Sequence, residues 1–206
     1  MLSYLYTMTS DILTQNSSYA SSLIDYINTR VLLDIDTKAA VAKLIQVEHL
    51  NKGHLLVKEG MVAHRIFFIQ KGSARTFYDH NGKEVTSWFY REGQLFTAWS
   101  SFYKRSPSYE GVELTEDSTI SALSYNHLRQ LYKQHPKMQE FGREMVEEQL
   151  VFLDYFYKGF MFMSAKEKYD LLLSVFPDVT LRVNLGHIAS FLGISQETLS
   201  RIRAKK

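Results

Sequence analysis

The sequence predicts an α+β fold in three parts: an N-terminal β-roll or jelly-roll domain, one long helix, and a small helical C-terminal domain. Three patterns carry this expectation. Over residues 53–123, short apolar stretches of strand length alternate with turns. Over residues 136–163, apolar residues recur at helical spacing with no proline after Pro136. Over residues 186–203, small, apolar and glycine positions fit two short helices joined by a tight turn. The expected division is an arm over residues 1–21, the roll over 22–135, the long helix over 136–163 and the helical domain over 164–206.

The arm is rich in Ser, Thr and Tyr and has little periodicity, so it is expected to be poorly ordered. Residues 22–50 then place Leu23, Ile24 and Ile27, and later Val41, Leu44 and Ile45, at helical spacing, which predicts helices ahead of the roll. Strands are expected at residues 55–57, 66–69, 74–78, 84–90, 111–114 and 119–123. Asn81-Gly82 is a strong hairpin signal between two of them, because both central turn positions want a positive φ. Many short strands with regular turns favour a barrel or jelly roll, whose closure removes vulnerable edges.

Pro136 suits a first helical turn, and residues 137–163 contain no further proline. Met138, Phe141, Met145, Phe152, Tyr155 and Phe162 lie near a heptad stripe, from which Glu148 and Gly159 depart. Val146, Leu150, Leu153, Tyr157 and Phe160 make a second apolar face. A helix apolar on two faces needs two partners, so one face is assigned to the roll and the other to a second copy of the chain. Ser164-Ala165-Lys166-Glu167 fits a capping box, which starts a new helix through Tyr169, Leu172 and Leu173 that stops near Pro177.

Composition narrows the function. A hydrophobic content of 45% supports a packed core rather than disorder. The absence of cysteine excludes a disulfide scaffold, a thiolate zinc finger and a cysteine-ligated iron–sulfur cluster, and points to the cytoplasm. No apolar run has the roughly 18 residues a membrane span needs, and the first residues lack the basic region of a signal peptide. The seven histidines form neither His-x-His nor His-Glu-x-x-His, so no metal site is expected. Net charge is only +2, but residues 182–206 carry five basic side chains against one acid, Glu197.

That basic end coincides with the third pattern. Ile188, Leu192, Ile194, Leu199 and Ile202 are the expected buried positions. Ala189 is small where two helices cross, Gly193 suits a left-handed turn four residues later, and Ser195 caps the second helix. Gln196, Glu197, Ser200 and Arg201 share the opposite face, near the helix N-terminus. Those residue types can read base edges: arginine grips guanine bidentately and glutamate accepts from cytosine. Arg203, Lys205 and Lys206 are assigned to phosphates, which position without specifying. A helical hairpin with no nucleic-acid role is the plain alternative, but it gives no account of Glu197 and Arg201.

The order of helices, a roll with glycines at Gly53, Gly60, Gly72 and Gly93, a long helix and a terminal helix-turn-helix resembles the Crp/Fnr regulators. The resemblance covers about residue 22 to the C-terminus. Glu197-Thr198-Leu199-Ser200-Arg201 is similar to that family's recognition-helix pattern Glu-Thr-apolar-Ser/Gly-Arg, while Gln196 stands where some members have arginine. The resemblance implies a DNA-facing set of Ser195, Gln196, Glu197, Thr198, Ser200, Arg201, Arg203, Lys205 and Lys206. It also implies a homodimer through the 136–163 helix on double-stranded DNA, with RNA polymerase as a further candidate partner.

The same resemblance raises cyclic AMP as an effector. Aligned from Gly93, Thr97-Ala98-Trp99 falls where nucleotide-binding members have Gly-Glu-Leu, and Ser108-Tyr109 falls at their Arg-Ser pair. Both polar anchors are missing. Lys104 and Arg105 lie nearby as substitutes, but in a loop. A buried phosphate without arginine would be poorly compensated, so the expectation is no cofactor and an unidentified small-molecule effector, if one binds at all. Trp99, Phe102, Tyr103, Ser108 and Tyr109 are the candidate pocket residues, with plain aromatic packing as the alternative. Two rival functions fit the sequence less well. A cupin-type enzyme lacks clustered ligands, since His49, His54 and His64 precede most of the barrel. A sensor or adaptor whose C-terminal hairpin docks a protein predicts no salt-dependent duplex binding.

Overall fold

The computed structural model describes residues 22–160 and 162–204. The expected arm over residues 1–21, and Lys205 and Lys206, lie outside the described residues.

Two short helices precede the roll. Helix α1 (Leu23–Asn28) starts at Ser22, whose hydroxyl accepts from the Asp25 amide at 3.1 Å, and α2 (Ile35–Leu44) starts at Asp34, which accepts from the Thr37 amide at 2.7 Å. Both follow the usual logic of an N-cap satisfying an orphan donor. The helical reading of residues 22–50 needs correction at its end: Gln46–Leu50 is strand β1. Ile45 leaves the helix with an extended backbone, and the next five residues pair antiparallel with residues 118–122. The partner is some 70 residues away in sequence, so the local pattern carries no trace of the pairing.

The roll continues with β2 (Leu55–Val57), β3 (Arg65–Lys71), β4 (Ala74–His80), β5 (Lys83–Tyr90), the two-residue β6 (Leu95–Phe96), α3 (Trp99–Lys104), β7 (Gly111–Leu114) and β8 (Ser118–Ser124). They form two antiparallel four-stranded sheets, ordered β1-β8-β3-β6 and β2-β7-β4-β5. All six expected strands are present. The β4–β5 hairpin turns at Asn81 and Gly82 with φ of 56° and 76°, as the dipeptide demands. A bulge at Thr76/Phe77 interrupts its register.

Helices α4 (Tyr125–Gln134) and α5 (Pro136–Phe160) follow, then α6 (Ala165–Val175), α7 (Val179–Arg182), α8 (Leu185–Leu192) and α9 (Gln196–Ala204). The long helix starts at Pro136 as expected and ends at Phe160, short of residue 163. Phe162 therefore sits in a turn, 86% exposed, rather than on the apolar stripe. The physical reason lies just beyond: Ser164 is extended and closes both bonds of the expected capping box with Glu167, so the chain must leave α5 before it.

Two cores result. The first fills the roll with Phe67, Phe68, Phe96 and Ile120, and takes in Met138, Phe141 and Met145 from the N-terminal half of α5. The second gathers Leu172, Phe176, Ile188, Leu192 and Leu199 from α6–α9 around Phe89 of β5. One strand of the roll thus supplies part of the core of the C-terminal helices.

Candidate nucleic-acid interface and effector cavity

Helices α8 and α9 form the expected hairpin. Asn184 caps α8 by accepting from the Gly186 amide at 2.7 Å. Gly193 ends it in the left-handed region, with φ of 69°, and the Ile194 amide reaches back to the Ala189 carbonyl at 3.0 Å. This is a Schellman-type stop, and glycine takes it without the strain a side chain would bring. Ser195 caps α9 by accepting from the Thr198 amide at 3.2 Å. Ile188, Leu192 and Leu199 are buried, and Ile194 and Ile202 pack against them half-buried.

What remains of α9 faces outward. Ser195, Gln196, Glu197, Ser200, Arg201 and Arg203 are exposed, and Thr198 is half-buried. The Arg201 guanidinium donates to the Thr198 hydroxyl at 3.2 Å, which holds it along the helix face. A hydrogen bond from Ser195 and the nearby Arg201 charge keep the Glu197 carboxyl below its ordinary value, so it is an anion at neutral pH. One face thus presents an amide, a carboxylate, a hydroxyl and a guanidinium. Arg182, which contributes to the basic C-terminal count, points elsewhere.

Arg182 binds the roll. Its guanidinium reaches Glu92 and Glu116 at 2.6 Å each, and Asp178 at 3.3 Å, with only 16% of its side chain exposed. Burial alone would raise the Glu92 carboxyl, but donation from Arg182 and from the Gly72 amide holds it below the usual range. Two further contacts fix α8 to β5. The Ser190 hydroxyl accepts from the Thr86 amide and donates to the Glu84 carbonyl, both at 3.1 Å. Because β5 is the outer strand of its sheet, Ser190 satisfies backbone groups that no neighbouring strand can reach. Phe191 packs edge-on against Trp88 at 5.7 Å and Phe89 at 5.5 Å between ring centroids.

A cavity of about 410 Å³ opens between the roll and α5. Trp88 and Tyr90 of β5, Trp99 of α3, Tyr109 and Glu110 of the following loop, and Phe152 of α5 are among its walls. Of the five expected pocket residues, Trp99 and Tyr109 line it. Phe102 is wholly buried in the roll core, and Tyr103 stacks behind Trp99 at 6.1 Å. Ser108 is buried under the loop, where its hydroxyl bridges the backbone of Glu110. The sequence reading missed Trp88, Tyr90, Glu110 and Phe152. Glu148, which breaks the apolar stripe of α5, was the available signal: it lines the cavity and binds Arg30 at 3.0 Å.

Thr97, aligned with the glycine of the nucleotide-binding Gly-Glu-Leu pattern, is buried and donates to the Arg65 carbonyl at 2.8 Å. Arg105 faces away, donating to the Ala63 and Phe102 carbonyls and lying 4.3 Å over the Tyr125 ring. Neither residue supplies a donor to the cavity.

A two-sheet roll closed by a long helix and followed by a helix-turn-helix is a fold that solved transcription regulators share. The sequence model of the cyclic nucleotide-binding domain family matches residues 47–135. A putative Crp/Fnr-family regulator from Eubacterium rectale is 16% identical with a TM-score of 0.63, over 84% of this chain and 83% of that one. The cyclic-di-GMP-responsive global regulator CLP of Xanthomonas campestris is 14% identical with a TM-score of 0.62, over 84% and 91%. The catabolite activator protein of Thermus thermophilus is 18% identical with a TM-score of 0.54, over 84% of each chain. No curated protein matches the chain in sequence. The chain has the fold of the Crp/Fnr transcription regulators, and its residues 47–135 match the cyclic nucleotide-binding domain model.

Proposed function

We propose that this protein is a cytoplasmic, sequence-specific transcription regulator that binds double-stranded DNA as a homodimer and has no enzymatic role. The observation that carries the reading is the outward face of α9. Gln196, Glu197, Ser200 and Arg201 stand exposed on a helix whose other face is locked into a hairpin by Leu199 and the Gly193 turn. Those positions are the ones a recognition helix sets against base edges. Arg203 follows one turn later for phosphate.

The dimer is supported by α5, on which Val146, Leu150 and Leu153 lie exposed at 47%, 67% and 57% along one stripe. Such a stripe on a 25-residue helix suits a self-complementary contact. Two copies would present recognition helices to successive major grooves roughly 34 Å apart, so the operator is a near-palindrome. Cyclic AMP is not the expected effector, since the cavity offers its phosphate no guanidinium or lysine among the described residues.

Selection from a random duplex pool near physiological salt tests this. Recovery of a palindrome with half-sites one turn apart is the expected result. Arg201→Ala should then cost about 1–3 kcal/mol on the selected site and relax it at one symmetric position. Equal losses on selected and random duplex would remove Arg201 from the base-reading role. Failure to enrich any sequence would favour an adaptor whose hairpin docks protein.

A further inference from the structure

The cavity between the roll and α5 has a charge pattern that selects a kind of occupant. About 410 Å³ falls within the range of small-molecule sites, and the rings of Trp88, Tyr90, Trp99, Tyr109, Phe152 and Phe156 stand among its walls beside polar side chains. Two carboxylates, Glu110 and Glu148, reach it, and among the described residues no lysine, arginine or histidine lines it. The two acids are in different states. Glu148 is matched by Arg30, whose side chain is only 5% exposed and whose guanidinium also lies 3.9 Å over the Tyr26 ring. Glu110 has no ion pair among the described residues; its backbone exchanges hydrogen bonds with the Ser108 hydroxyl. The neighbours it perturbs are Tyr90 and Tyr109, both held above their ordinary values partly by its charge.

An anion in this cavity would meet an unmatched carboxylate and the negative faces of several rings. An uncharged guest would leave that carboxylate without a counter-charge. A cation answers both, because a positive charge is drawn to aromatic faces as well as to a carboxylate, and more strongly where water is excluded. Burial pushes the Glu110 carboxyl up to about 7, as expected of an acid held away from water.

We propose that this cavity binds a small organic cation with a planar apolar body, its charge set against Glu110 and its body between Trp99, Tyr109 and Trp88. The inference concerns the roll alone and does not depend on what α9 binds.

Three ligands sharing one body test it: protonated 1-naphthylmethylamine, 1-naphthalenemethanol and 1-naphthoate, each measured by equilibrium dialysis against the full chain at mildly alkaline pH. The amine is expected to bind about tenfold more tightly than the alcohol, with naphthoate weakest. In Glu110→Gln the amine should lose that advantage while the alcohol binds as before. Naphthoate binding as well as the amine would overturn the proposal, as would an unchanged charge preference in Glu110→Gln, or no uptake of the amine at millimolar concentration. Should Glu110→Gln fail to fold, Trp99→Leu serves instead: it should weaken the amine more than the alcohol, and equal losses would count against the cation. No DNA enters the measurement, so failure here leaves the regulator reading standing, and failure of duplex selection leaves this one standing.

Discussion

Glu110 is held where its surroundings work against its charge. Its carboxyl titrates near the ordinary value in the unfolded chain and at about 7 in the folded one. A raised folded value means that the protonated acid contributes fully at low pH and that this contribution is lost as pH rises through about 7. Glu110→Gln removes the loss. Thermal unfolding of that variant should show a gain of about 1–3 kcal/mol over the parent above neutral pH, shrinking towards pH ~4. A gain that persists undiminished in acid would mean that the substitution acts through packing instead. Arg201 and Glu197 present the opposite case. Both are exposed, so their replacement should alter recognition with little effect on folding.

Among the elements, α5 divides its work by length. Met138, Phe141 and Met145 are sunk in the roll core, whereas Val146, Leu150 and Leu153 stand exposed among the described residues. Leu150→Glu should therefore yield a monomer by sedimentation with nearly unchanged helix content, since the side chain is 67% exposed in the single chain. A parent that already sediments as a monomer at micromolar concentration would sink the dimer. The same helix shows what a sequence can and cannot disclose. Its stripe, the Ser164 capping box, the Asn81-Gly82 turn and the Gly193 hairpin are written in residues within a few positions of one another, so local period and turn chemistry reveal them. Strand β1 is not legible in this way, because residues 46–50 become a strand only by pairing with residues 118–122. The cavity was half legible. Trp99 and Tyr109 lie near the aligned nucleotide motif, but Trp88, Glu110, Glu148 and Phe152 come from three separate places in the chain and meet only after folding.

At the scale of the whole molecule, the C-terminal helices are clamped to the roll by Arg182, Ser190 and Phe191. The ion cluster is sensitive to acid. Glu92 has a depressed folded value, so its contribution is present above the ordinary carboxylate range and is lost as pH falls below that range through the lowered folded value. Hydrogen exchange of the α6–α9 amides should accelerate in Arg182→Ala at neutral pH, and the parent should approach the variant in acid. Identical exchange at neutral pH would show the clamp to be energetically idle. Trp88 gives this arrangement a thermodynamic edge. Its ring is a wall of the cavity on one side and touches Phe191 of the helix-turn-helix on the other. Any guest that shifts this ring between two positions changes how firmly α8 is seated. Linkage then works in both directions: the factor by which a guest alters affinity for an operator is the factor by which the operator alters affinity for the guest. If α9 binds DNA as proposed, copies resting on DNA and copies free in solution would fill their cavities to different extents at the same guest concentration, so that occupancy would depend on where a copy is as well as on what surrounds it.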